Sequence, residues 1–300
     1  MKTNYNKITG SLGDRIFTYL IYIILIIAAA ATLFPFLDVV LTSVTPTEEI
    51  VKNAKRLISV PKHPTLSHYI YILKGDKAIV RALLITIFRT CAGTFLSMAV
   101  TVLTAYPLSK KFLPGRNILM KIFFFTMIFN GGMIPTYLVV RSLGLTDTLW
   151  AFILPCLLNV YNMIIMRTFF MGLPAELEEA AKIDGCSDWR LLIRIILPIS
   201  MPVMASIGLF YAVAHWNAFF DTILYVTDRN LWPLQTLLRE ILLSTSVSEL
   251  QLGNIMSDAT PPSNAIIAAT IMISTIPIIC VYPFLQKYFV KGVMIGSVKG

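Results

Sequence analysis

Apolar residues in this 300-residue chain fall in six long blocks, near 16–37, 81–107, 117–140, 148–170, 199–220 and 264–287, and most of the charge lies between them. Each block is about the ~20 helical residues that a bilayer core requires. Backbone N–H and C=O groups cannot stay unpaired in hydrocarbon, so each block predicts a membrane-spanning helix. The first block has features of a signal peptide, since it follows Lys2, Lys7 and Arg15 and carries Ala28 to Ala31. A signal h-region is only about 7–15 residues long. This run continues through Leu33, Phe34 and Phe36 and reads as a retained first helix. Composition agrees with a lipid solvent: 56% of residues are hydrophobic, only 14% are charged, and the mean hydropathy is +0.74. A soluble domain carries roughly a quarter charged residues.

The net charge of +9 would suggest nucleic acid in a soluble protein. Here no basic patch with interleaved aromatics lies on a soluble segment, and the nucleic-acid reading is set aside. The basic residues instead cluster beside short loops, as cytoplasmic loops do. They are Lys2, Lys7 and Arg15 at the start, Lys110, Lys111, Arg116 and Lys121 after the second block, and Lys287, Lys291 and Lys299 at the end. The turn between blocks three and four has Arg141 offset by Asp147, and the long basic segment 43–78 falls where the charge rule is weak. Both termini are therefore expected to face the cytoplasm. Cys91, Cys156, Cys186 and Cys280 are scattered, with no CxxC and no nearby His at ligand spacing, so neither a disulfide framework nor a metal site is indicated. No internal repeat of the kind many secondary carriers show is visible. The chain reads as 1–15 N-terminal cytoplasmic segment, 16–290 one six-helix transmembrane domain with a cytoplasmic loop 171–198, and 291–300 cytoplasmic tail.

The loop between blocks four and five is the most informative segment. Pro174 suits a first helical turn, with Glu176, Glu178 and Glu179 near its positive end. Glu178 and Lys182 are spaced for an i, i+4 pair, and Gly185 suits a helix C-terminus. Ser187 or Asp188 can cap a second helix that Pro198 ends or kinks. The spacing predicts a helix–turn–helix. Its first helix is too short to be stable alone. Ala180 and Ala181 beside Leu177 give it a small-residue face with an acidic edge. Such a face fits either a groove on another protein or close packing on the chain's own transmembrane domain.

Glu179-Ala180-Ala181, Gly185, Ile195, Leu197 and Pro198 together resemble the EAA loop of ABC-importer permeases. Asn130 to Tyr137, Ser142 to Trp150, His215-Trp216-Asn217, Trp232 to Gln235 and the tail from Phe289 to Gly300 resemble the carbohydrate-uptake permeases of maltose and oligosaccharide type, the tail being similar to that of the second permease of a heterodimeric pair. The resemblance implies an all-α type I ABC-importer permease fold in a bacterial cell membrane. It also implies three partners: an ABC ATPase dimer, a second homologous permease and an extracellular solute-binding lipoprotein. The cargo it implies is a carbohydrate, most simply an oligosaccharide. ATP and Mg2+ would be used by the partner, since no Walker A pattern occurs in this chain and no cofactor is expected on it. The family pattern assigns ATPase coupling to Glu179, Ala180, Ala181, Asp184 and Gly185.

Substrate contacts are less defined. Arg89, Asn130, Asn159, Asn162, His215, Trp216 and Asn217 are polar or aromatic groups within or beside the blocks, where intramembrane polar side chains are candidates for the translocation path. Arg89 could instead snorkel or pair structurally; Arg167, near the inner end of the fourth block, is expected to snorkel; the Asn residues could link helices, and Trp216 could sit in an interfacial belt. No paired catalytic carboxylates or nucleophile triad sit in a credible context, so the chain is read as a non-catalytic subunit. The alternatives are an ABC permease for a non-sugar solute and an ATP-independent carrier.

Overall fold

The computed structural model describes residues 12–52, 60–75, 77–251 and 264–297. Lys2, Lys7 and Lys299, used in the orientation argument, lie outside the described residues. Among the described residues all regular structure is helical. The order is α1 (Leu12–Val44), α2 (Thr47–Lys52), α3 (Ser67–Gly75), α4 (Lys77–Ser109), α5 (Arg116–Ile128), α6 (Met133–Ser142), two 3-10 turns (Leu149–Phe152 and Leu154–Cys156) and α7 (Val160–Met171). Then come α8 (Ala175–Ile183), α9 (Asp188–Ile199), α10 (Met201–Asn217), α11 (Phe220–Tyr225), a 3-10 turn (Arg229–Leu231), α12 (Leu234–Gln251) and α13 (Asn264–Ser297).

Three of the six apolar blocks are single helices long and apolar enough to cross a membrane, in α1, α4 and α13. The other three are broken, contrary to the expectation of one helix per block. Block 117–140 is α5 and α6, bent by 113°. The break falls at Phe129-Asn-Gly-Gly132, where Gly132 holds φ 89° and ψ 178°, a backbone region in practice open only to glycine. Block 148–170 begins as 3-10 turns and bends by 51° into α7, with Pro155 in the second turn and Asn159 capping the helix. Block 199–220 is entered from α9 through an 83° bend at Ser200, and its helix ends at Asn217. Ahead of that bend, Leu192–Ile196 widens to π geometry, and the Leu197 N–H bonds the Leu192 carbonyl. Pro198 has no N–H and crowds the carbonyl four residues back, which accounts for the widening.

The chain forms two compact units, Met1–Ile70 with Ala259–Met272, and Tyr71–Asp258 with Ile273–Gly300. In the first, the Thr65 N–H donates to the Val44 carbonyl (2.8 Å), and the Tyr69 hydroxyl donates to Ser43 Oγ (2.7 Å), which fixes the end of α1 to the start of α3. The most apolar window of α1 buries none of its residues, as suits a surface solvated by lipid.

The second unit is organised on α4, against which α10 and α7 pack. Its buried positions Ala82, Thr86, Arg89, Gly93, Ser97, Thr101 and Ala105 recur every three or four residues, so small and polar side chains line one stripe. Without a hydrophobic drive between helices in lipid, such residues permit close backbone approach. The approach is close at Gly93, where a Cβ would lie 2.7 Å from the His215 ring. Below it Tyr106, Met163, Met166, Phe170, Leu191, Ile196 and Ile207 form one buried cluster, and Val140, Phe152, Ile153, Tyr225 and Val226 form another.

Gly93→Ala is therefore expected to destabilise the α4–α10 contact by about 1–3 kcal/mol through overpacking. In a His215→Ala background the same substitution should cost clearly less, since the ring it would meet is gone. Thermal unfolding of the detergent-solubilised protein reads both.

Candidate functional site

The loop after α7 folds as α8, a tight turn and α9. The α8 terminus is closed by two bonds, from the Cys186 N–H to the Ala181 carbonyl (2.9 Å) and from the Gly185 N–H to the Lys182 carbonyl (3.0 Å). This is the Schellman arrangement, and Gly185 supplies its left-handed residue at φ 74°. A Cβ at Gly185 would meet nothing within 4 Å, so the requirement for glycine is conformational rather than steric. Ser187 occupies the cap position of α9 without a side-chain cap bond, while the Leu191 N–H bonds its carbonyl.

The five family-assigned residues divide by direction. Ala181 is buried among Tyr106, Phe170 and Leu191, whereas Glu179, Ala180, Asp184 and Gly185 are exposed. Successive helical residues differ by about 100° around the axis, since a turn takes 3.6 residues. Ala181 therefore seats the helix on its own domain while Ala180 and Glu179 look outward. The exposed side continues in Ile183, 86% exposed, and Trp189, 63% exposed. Large apolar groups shown beside an acidic edge suit a protein partner.

The pairing that holds α8 in place differs from the sequence expectation. Glu178 pairs not with Lys182 but with Lys110, just past the end of α4, and both side chains are largely buried. Lys110 also stands over the Tyr106 ring at 4.2 Å. Lys182 instead lies over the Phe112 ring at 5.3 Å and 3.9 Å from Asp188, in the open. A tertiary partner with less solvent screening outcompetes the weak local pair. Arg167 Nε donates to the Leu108 carbonyl (2.8 Å), so it ties α7 to α4. A groove of about 460 Å³ opens beside this junction, walled by Leu103, Tyr106, Phe112 and Trp189.

The candidate path residues separate into two groups. Arg89 is 1% exposed; its Nη1 donates to the Ala218 carbonyl and to Asp221 Oδ1, both at 3.2 Å, and its Nη2 pairs with Asp221 Oδ2. Its guanidinium stands 4.9 Å from the centre of the Phe152 ring. Asn162 and His215 are buried, and Trp216 is buried with its indole N–H donating to the Ser274 carbonyl (3.0 Å). Asn130, Asn159 and Asn217 are exposed. Asn130 Oδ1 accepts from the Gly132 N–H (2.9 Å), and Asn159 Oδ1 accepts from the Asn162 N–H (3.1 Å). Asn217 Nδ2 donates to the Val213 carbonyl (2.9 Å). Arg89 and His215 face the same junction of α4 with α10, while Asn130 stands apart in the α5–α6 break. Asp221, Phe152 and Lys110 were missed as partners by sequence reasoning. An aspartate next to apolar Phe219 and Phe220 at a block end was the available signal for Asp221. Among the described residues no group of three or more His, Cys, Asp or Glu could hold a metal ion.

The family described as binding-protein-dependent transport system inner membrane component matches residues 8–295. The chain is 45% identical over 287 residues to the polygalacturonan/rhamnogalacturonan transport system permease protein YtcP of Bacillus subtilis (strain 168), covering 96% of this chain and 99% of that one. It is 46% identical over 271 residues to Protein LplC of the same organism, covering 90% of each. Among solved structures it is similar to a chain of a bacterial ABC transporter involved in the import of the acidic polysaccharide alginate. The TM-score is 0.83 at 32% identity, covering 93% of this chain and 99% of that chain.

Gly185→Val should cost roughly 1–2 kcal/mol at the loop, the penalty of a left-handed backbone with a Cβ, and Gly185→Asn clearly less. Hydrogen exchange is the readout: the Cys186 amide should lose protection in the valine variant and keep most of it in the asparagine variant.

Proposed function

We infer the role of this chain from one premise: it belongs to the binding-protein-dependent transport system inner membrane components, and it is a permease subunit of an ABC importer for oligosaccharides or polysaccharides. On that premise the exposed side of α8 is the docking edge for a separate ATPase dimer, with Glu179, Ala180, Asp184 and Gly185 at the contact and Ala181 as its root. The observation that carries this reading is the division of the loop. One side is fastened to α4 by Lys110–Glu178 and by Ala181 in the core, and the other is turned to solvent with its acidic and apolar groups exposed.

The three long helices and three bent pairs support six spans, one per pair. The basic residues after α4 support a cytoplasmic position for the loop and for both termini. The membrane is then the bacterial cytoplasmic membrane. This chain forms half of the pathway, a second homologous permease forms the other half, and a solute-binding lipoprotein delivers the sugar from outside. The partner ATPase consumes ATP and Mg2+, and this chain catalyses nothing. ATP-favoured closure of the ATPase must favour one permease state over the other, since a ligand shifts an equilibrium only through differential affinity. A rigid, well-capped α8 transmits that preference better than a flexible loop. The relatives that carry polygalacturonan and alginate make acidic oligosaccharides the first cargo to assay.

Purification of this chain from its native membrane should bring with it an ATPase and a second permease. Glu179→Lys is expected to leave assembly partly intact and to lower ATP-driven uptake by about tenfold or more, within the usual range of coupling between sites. Recovery of the chain alone, with uptake persisting in vesicles without ATP, would replace the importer reading with that of an independent carrier.

A further inference from the structure

Helix α4 is gripped by polar groups at both ends. At one end Lys110 holds Glu178 of α8. At the other, three side chains on two turns of α4 hold the segment between α10 and α12. Arg89 binds Ala218 and Asp221, the Thr86 hydroxyl accepts from the Leu234 N–H (2.8 Å), and Arg81 bonds Asn230. These contacts fasten the segment at its beginning, middle and end. The segment is also tied to α6 and the turn after it: Asp147 Oδ1 accepts from the N–H groups of Thr227 (2.5 Å) and Asp228 (3.0 Å), and the Tyr137 and Tyr225 rings stack with centroids 6.4 Å apart. From Arg89 to Lys110 the helix runs about 32 Å at 1.5 Å per residue.

We propose that α4 is the rod linking the ATPase-docking helix to segment 218–234, and that the Arg89–Asp221 pair is the grip that makes the segment and α4 move as one body during transport. This rests on the importer reading above and deepens it. Arg89 is then a positioning residue rather than a sugar contact. Its buried guanidinium spends Nη1 and Nη2 on Ala218 and Asp221 and lays its face on Phe152. A two-pronged guanidinium fixes direction as well as distance, which a point charge does not. Separating the pair strands a charge away from water, so the contact resists sliding.

The test uses the complete importer reconstituted in lipid vesicles. Asp221→Asn, Arg89→Gln and the double variant are compared with wild type for basal ATP hydrolysis, for its stimulation by sugar-loaded binding protein, and for uptake. Each single variant should keep basal hydrolysis within about twofold and lose about tenfold or more in stimulation and uptake, a split that a merely structural defect does not produce. The double variant should lose no more than the worse single one, because the two residues act as a unit. Stimulation and uptake within about twofold of wild type in either single variant, or losses that multiply in the double, overturn the proposal. If the single variants fail to assemble, the double variant, which leaves no unpaired charge, is read instead, and normal coupling in it overturns the proposal. An independent measurement needs neither substitution. Spin labels at exposed Leu84 and Ile223 should keep their separation between ATP-free and ATP-bound states, and a change of about one helical turn, about 5 Å, shows that the segment and α4 do not move as one body and overturns the proposal. A wild-type complex without ATPase activity would contradict the importer reading, which is a different failure.

Discussion

Hydrocarbon offers no partner to a backbone N–H or C=O, and the architecture of this chain follows from that. It makes every apolar block helical, and it dictates how the breaks are built. Where the ladder stops, the freed groups must be satisfied by the protein itself. At the α5–α6 break Asn130 accepts from the Gly132 N–H. At the start of α7 Asn159 caps the Asn162 N–H, and its own N–H donates to the Tyr211 hydroxyl. At the α9–α10 bend the Ser200 N–H bonds the carbonyls of Ile196 and Leu197. Two asparagines that look, in sequence, like sugar ligands thus stand at ends of the helical ladder, each bonding a backbone N–H. This role is sufficient reason for an amide at each place.

The same constraint explains what was legible in the sequence. Block length and composition report the solvent, so the helical class and the central parts of α1, α4 and α13 could be read directly, while the helices themselves run on past the blocks, to Val44 in α1 and Ser297 in α13. The breaks were harder. A break of one to four residues inside an apolar run leaves hydropathy unchanged, and only Gly131-Gly132, Pro155 and Pro198 marked them. The α8–α9 turn was readable because its chemistry is local: Gly185 supplies a backbone angle that other residues resist. The Glu178 partner was not readable, because Lys110 lies 68 positions away and the local rule named Lys182. Asp221 escaped for the same reason; its partner Arg89 is 132 positions distant.

The small-residue signature of the loop has a plain geometric meaning. Two adjacent alanines on a helix cannot face the same way. Ala181 lets α8 lie close on Tyr106 and Leu191, and Ala180 keeps the outer surface narrow beside Glu179. Of the two readings of the small face, packing on its own domain is served by Ala181, and Ala180 is left exposed for the partner proposed above. A bulky residue at position 181 would lift the helix from its domain, and one at 180 would alter only what a partner meets.

The charge pairs on α4 need a different justification from the apolar contacts around them. Burying an ion pair costs desolvation that the mutual attraction only roughly offsets, so a well-packed apolar pair often serves stability as well or better. Stability is therefore a weak reason to place Arg89 and Asp221 at a helix junction inside the membrane domain. Direction is a better one. Apolar side chains slide past one another at little cost, whereas a guanidinium seated on a carboxylate, a carbonyl and an aromatic face has one low-energy arrangement. A helix that must carry a displacement from one face of a membrane to the other loses motion wherever a contact slips. Polar grips at Lys110 and at Arg89, with the close-packed Gly93–His215 contact between them, leave α4 few places to slip.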